Sequence, residues 1–141
     1  AAAEGLPNRW KEVADLSRTA MDSNVVKEAV ASGRYFREVY VGAPVGSVLL
    51  EGFIDLVFES EDGLIVIDYK TDGVETTDEI KRSMDRYELQ AGSYALALER
   101  ATGKSVLKVI FLFLHTGSEV VMDNLPAAMT RVQEAVQGLV S

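Results

Sequence analysis

Two apolar runs, Val48 to Phe58 and Leu64 to Lys70, flank the polar loop Glu59-Ser60-Glu61-Asp62-Gly63. The loop ends in Asp-Gly, a dipeptide that favours tight hairpin turns, so the runs read as neighbouring antiparallel strands. A long helical pattern from Thr77 to about Thr102 follows, and then Val106 to Leu114, nearly all apolar and rich in β-branched residues. A run of that kind fits a strand buried on both faces. A hairpin, a helix and a buried strand in this order constrain the chain to a mixed sheet with helices packed against it.

The remaining elements agree with this α/β reading. Helix formers at the start are interrupted by Gly5 and Pro7, which places any first helix from about Trp10. Ser23 to Ala31 reads as a helix, with Asp22 or Ser23 to cap it and Gly33 beyond its end. Tyr35 to Val41 reads as a strand, and Gly42-Ala43-Pro44 with Gly46 as a turn. In the long helix Ile80, Met84, Tyr87, Ala91, Tyr94, Ala95 and Leu98 recur at spacings of three and four. The pattern leaves room for a break near Asp85, and Gly103 ends it. Glu119 to Met122 reads as a short strand and Pro126 opens a last amphipathic helix. The order αβββαβ, with a further short strand and helix, describes a mixed central β-sheet flanked by helices. One domain spanning residues 1–141 accounts for it.

Composition excludes several chemistries. The 141 residues include no cysteine, which removes disulfide, zinc–thiolate and iron–sulfur chemistry from this segment, and one histidine, which removes a multi-histidine site. No apolar run reaches the ~18–20 residues of a membrane span. Ala1-Ala2-Ala3-Glu4 lacks a basic n-region, so a cytoplasmic location is the default expectation. Neither Gly-x-x-x-x-Gly-Lys-Ser/Thr nor Gly-x-Gly-x-x-Gly occurs, so ATP hydrolysis does not reside in this chain. The net charge of −8 opposes free-standing nucleic-acid binding, because neutralising phosphates supplies most non-specific affinity.

The hairpin carries charges where apolar residues are the rule. Strand alternation turns Asp68 and Lys70 to one face and Ile67 and Tyr69 to the other. In the preceding strand the same rule groups Asp55 with Glu51, Phe53 and Val57. If the register matches, Asp55, Asp68 and Lys70 converge. Burying such charges costs several kcal/mol unless they pair or bind metal. An Asp–Lys ion pair at a sheet rim is the plain structural alternative. Carboxylates suit hard divalent cations such as Mg²⁺, and a neighbouring lysine suits phosphate chemistry.

Three ordered segments extend this pattern: Gly52-Phe53-Ile54-Asp55, Asp68-Tyr69-Lys70, and Gln90-Ala91-Gly92-Ser93-Tyr94. Together they resemble the RecB-like nuclease domain of bacterial helicase–nucleases (RecB, AddA and AdnA/AdnB types), in the PD-(D/E)xK superfamily. The resemblance covers roughly residues 34–102 and implies a restriction-endonuclease-like core. It implies Asp55, Asp68 and Lys70 as catalytic residues. Asp55, Asp68 and the backbone carbonyl of Tyr69 would hold Mg²⁺ or Mn²⁺, and Gln90 and Tyr94 would be accessory, DNA-facing residues. Arg82 and Arg86 continue the Gln90–Tyr94 row at i+4 spacing and are candidate phosphate contacts. Glu38 is a candidate auxiliary residue.

The implied activity is metal-dependent exonucleolytic hydrolysis of DNA in double-strand-break repair or recombination. The implied partners are single-stranded DNA fed by a helicase motor, a helicase domain in the same parent chain and a second helicase–nuclease subunit. No membrane is implied, and the setting is the bacterial cytoplasm near the nucleoid. Tethering to a motor reconciles the acidic charge with a DNA substrate, since effective concentration replaces intrinsic affinity. Family members carry an upstream Gly-x-x-His helix that this chain lacks; His115 follows all the other motifs and reads as structural. The expectation is therefore a fragment cut after the histidine helix. The alternative is a catalytically inactive module that binds DNA or a partner subunit.

Overall fold

The computed structural model describes residues 2–71 and 77–140. Within them nine elements follow in order: α1 (Ala2–Asp22), α2 (Asn24–Ser32), β1 (Tyr35–Val45), β2 (Val48–Glu59), β3 (Leu64–Lys70), α3 (Thr77–Thr102), β4 (Val106–Phe113), β5 (Ser118–Val121) and α4 (Leu125–Val140). The strands form one sheet in the order β1-β2-β3-β4-β5. Only the β3–β4 pair is parallel, because α3 crosses over between them. The mixed sheet flanked by helices is the architecture the sequence implies.

Apolar side chains divide between two faces. On one, Ile54, Val57, Val66, Val109 and Phe111 meet Tyr87, Ala91 and Ala95 of α3. Ala91 and Ala95 are wholly buried, and their small size lets α3 lie close to the strands. On the other face Leu56, Phe58, Ile65, Ile67 and Leu112 pack against Val25, Val26 and Ala29 of α2. Ser23 caps α2 by accepting from the Val26 N–H at 3.1 Å, and Gly33 ends it at φ 70°. Caps of this type contribute about 1 kcal/mol.

Three features depart most from those the residue patterns imply. The first helix starts at Ala2 and runs through Gly5 and Pro7. β1 continues through Gly42-Ala43-Pro44, and the turn is confined to Gly46-Ser47, with Gly46 at φ 61°. Pro44 is tolerated because β1 is an edge strand, where a missing N–H breaks no ladder. α3 runs unbroken past Asp85. Asp72 lies outside the described residues, as does the side chain of Ile80.

Candidate active site

The β2–β3 ladder runs from Glu59↔Leu64 to Leu56↔Ile67. Beyond it Asp55 Oδ2 takes the next backbone donor, accepting from the Tyr69 N–H at 2.7 Å. A carboxylate thus stands where a ladder carbonyl would, wedged between the strands. The Lys70 carbonyl accepts from Leu114 N–H on the β4 side. Backbone groups alternate edges along a strand, so the Tyr69 carbonyl leaves on the β2 side, beside Asp55.

Asp55, Asp68 and Lys70 do converge. Lys70 Nζ lies 2.8 Å from Asp68 Oδ2, as strand alternation requires. The Asp55 carboxylate stands close enough to act on the Asp68 carboxylate electrostatically. Asp68 is 5% exposed and is one of two buried polar residues in the described core. Burial, with the Asp55 carboxylate beside it, pushes the Asp68 pKa up to about 6, against the opposing pull of Lys70. Asp68 Oδ2 is buried, with the Lys70 ammonium against it.

How Asp55 reaches this face departs from simple alternation. Ile54 and Val57, of opposite parity, both lie in the core under α3, so the strand's facing inverts between them. Asp55 keeps Val57's side but not that of Glu51 and Phe53. Those two point away from α3, where Glu51 accepts from Tyr40 Oη at 2.6 Å and Phe53 is 71% exposed. The cause lies across the ladder: Arg37↔Leu56 and Val39↔Ile54 place Glu38 opposite Asp55, and Glu38 has φ 52°. Left-handed backbone at a non-glycine residue turns the strand and re-aims what it faces.

Gln90 and Tyr94, the accessory residues that the resemblance implies, form a chain leading from the lysine. Lys70 Nζ donates to Gln90 Oε1 at 2.6 Å, and Gln90 Nε2 donates to Tyr94 Oη at 2.8 Å. Burial and the nearby Asp68 carboxylate push the Tyr94 pKa up to about 12, so the phenol stays protonated at neutral pH. Arg82 and Arg86 are exposed on the same helix, with the Arg86 guanidinium 5.6 Å from the Tyr87 ring centroid. Glu38 is exposed and belongs to no group of three metal-ligating side chains among the described residues. His115 sits in the β4–β5 turn, beside Glu12, Asp15 and Leu16 of α1.

Residue patterns did not reveal the aromatic cradle of Lys70. Its Nζ lies 4.8 Å from the Tyr87 ring centroid and 5.3 Å from that of Phe111, and the two rings stand 5.1 Å apart. Such rings favour an ammonium group in a site largely closed to water. Phe111 comes into place through its parallel pairing with Asp68, a register that no local signal announces.

The donor set suits a divalent cation. Two carboxylates and a backbone carbonyl are hard oxygen ligands, and the buried Asp68 carboxylate is offset by a single ammonium, that of Lys70 at 2.8 Å. Mg²⁺ is commonly held by one or two carboxylates, with water and substrate oxygens completing its shell.

Comparison with known proteins decides the family. The description of the PD-(D/E)XK nuclease superfamily matches residues 2–140. The chain belongs to that superfamily. Within it, this domain is similar to an ATP-dependent helicase/nuclease protein of Clostridium botulinum strain Hall, 49% identical over 67 residues. That match covers 47% of the chain and 5% of the relative. The corresponding helicase/nuclease protein of Thermoanaerobacter sp. strain X514 is 44% identical over 86 residues, covering 56% of the chain and 7% of the relative. The domain thus matches only a small part of these relatives' length. In fold, the PD-(D/E)XK chain is similar to a structure from Eubacterium rectale described as a candidate exonuclease. The TM-score is 0.62 at 12% identity, over 92% of this chain and 52% of that one. No helix among the described residues is long and apolar enough to cross a membrane.

Proposed function

We propose that this nuclease domain hydrolyses phosphodiester bonds of DNA exonucleolytically, with a divalent cation held by Asp55, Asp68 and the Tyr69 carbonyl. The observation that carries the reading is the convergence of Asp55, Asp68 and Lys70 on one face, with Asp68 buried. When bound there, Mg²⁺ or Mn²⁺ would supply the charge that polarises the phosphoryl oxygens and acidifies the attacking water. Lys70, held by Asp68 and Gln90, orients that water and balances the charge that builds on phosphorus. Attack forms the new P–O bond and breaks the bond to the leaving oxygen, which takes up a proton. Gln90 and Tyr94 keep Lys70 in line, and Arg82 and Arg86 approach the flanking phosphates.

The parent is proposed to be a helicase–nuclease of DNA double-strand-break repair, with a helicase domain in the same chain and a second subunit beside it. It would act in the bacterial cytoplasm near the nucleoid. A motor that delivers a single strand explains how a domain of net charge −8 meets DNA. On this reading the 141 residues are one domain whose histidine-bearing helix lies upstream. A second reading, a module without catalysis, is favoured by one observation. Among the described residues no third His, Cys, Asp or Glu joins the pair.

The test is Mg²⁺- or Mn²⁺-dependent degradation of single-stranded DNA by the full-length parent, beside Lys70→Ala and Asp68→Ala. Loss of cleavage in both supports hydrolysis at this site. Undiminished cleavage in both moves the chemistry elsewhere and leaves the second reading.

A further inference from the structure

Gly52 stands inside β2, paired with Val41, in a setting where glycine weakens a strand. Its backbone does not call for glycine, since it is not among the glycines with positive φ. Space does. A Cβ built at Gly52 would stand 3.1 Å from Tyr94 Cε1 and 3.6 Å from Cδ1. The Tyr94 ring therefore rests directly on the strand backbone.

That ring is not free to give way. An ammonium group only donates, so Lys70 fixes Oε1 of Gln90 toward itself. Nε2 is thereby turned to Tyr94, and an amide nitrogen also only donates, so Tyr94 Oη must accept. The chain Lys70→Gln90→Tyr94 has one direction, and it ends at an oxygen whose height above the sheet is set by Gly52. We infer that Gly52 is a positioning residue: its missing side chain seats Tyr94, which holds the Gln90 amide and, through it, the Lys70 ammonium. A methyl group at position 52 lifts the ring by a few tenths of an ångström. It stretches the 2.8 Å contact and leaves Lys70 loosely held. The catalytic consequence rests on the nuclease reading; the seating of the chain does not.

Two measurements test this. In the full-length parent, Gly52→Ala lowers kcat for single-stranded DNA roughly tenfold, with KM within about twofold, as expected for a small misplacement of a reacting group. In a Tyr94→Phe background, where the chain is already cut, Gly52→Ala lowers kcat no further. Equal losses in both backgrounds make Gly52 a packing residue only and overturn the inference. Independently, the side-chain amide resonances of Gln90 in the 141-residue chain move in Gly52→Ala toward their Tyr94→Phe positions. Unmoved resonances overturn the inference whether or not the parent cleaves DNA. If the wild-type parent shows no metal-dependent cleavage, the nuclease reading fails while the resonances still judge Gly52. Should Gly52→Ala not fold, Gly52→Ala/Tyr94→Ala has room for the methyl. Its recovery of the fold supports the contact, and its failure to fold contradicts it.

Discussion

Glu38 and Asp55 occupy the one gap in the β1–β2 ladder, between Arg37↔Leu56 and Val39↔Ile54, and the left-handed backbone of the first accompanies the inward turn of the second. Backbone strain and the proposed metal-binding carboxylate thus meet at one break in the ladder. Strain of this kind persists only where surrounding structure holds it in place.

Glu38 is accordingly a position where strand propensity misleads. Glu38→Val, the residue that β propensity prefers, lowers unfolding free energy by about 1–2 kcal/mol, because a Cβ-branched residue resists left-handed φ. Glu38→Gly leaves stability level or raises it. Urea denaturation of the two variants checks the order; equal stability of both removes the strain argument.

Asp68 is held at the expense of stability. Its pKa of about 6 lies above the ordinary 3.8, so between these values the folded chain binds a proton that the unfolded chain has released. The stability from that proton is full at low pH and lost as pH rises through about 6. Asp68→Asn removes the penalty. Above pH ~7 and without metal, the variant unfolds at higher urea than wild type, by on the order of 1–3 kcal/mol, and the gap closes near pH ~4. Added Mg²⁺ narrows the gap by stabilising wild type alone. A gap that widens toward low pH contradicts the assignment.

Gln90 links the lysine to the helix. Gln90→Leu keeps the volume and removes both hydrogen bonds, so kcat falls roughly 10–100-fold, the worth of a hydrogen bond to a charged group. Melting temperature changes little, since leucine keeps the volume of this partly buried side chain. Steady-state kinetics on single-stranded DNA decides; unchanged kcat separates Gln90 from the site.

Gly92 serves as a structural control on the same helix. A Cβ there would stand 2.5 Å from the Ala128 carbonyl oxygen, where α3 meets α4. Gly92→Ala costs about 1–3 kcal/mol of stability through overpacking. The pairing of Lys70 with Asp68 stays intact. Calorimetry and kinetics together distinguish it from Gly52→Ala, whose effect falls on kcat.

Much of this fold was legible because its signals are local. The apolar run of β3 and the three–four spacing of α3 have the same bounds in the sequence and in the structure. Asp68 and Lys70 share a face because alternation within one strand needs no partner. Legibility ended where two segments had to be placed together. Alternation alone grouped Asp55 with Phe53, and only the inversion opposite Glu38 separates them. The i+4 row of Gln90 and Tyr94 was readable, but not the strand glycine beneath it as a seat. Phe111 joined the lysine through a parallel register that depends on how α3 crosses the sheet.

The central claim is that Asp55 and Asp68 hold a single divalent cation. Titration of the 141-residue chain with Mn²⁺, followed by electron paramagnetic resonance, tests it most directly. The prediction is one saturable site that Asp55→Asn and Asp68→Asn each weaken by at least about tenfold and His115→Ala leaves intact. Wild-type affinity in both aspartate variants, or loss of binding in His115→Ala, contradicts it.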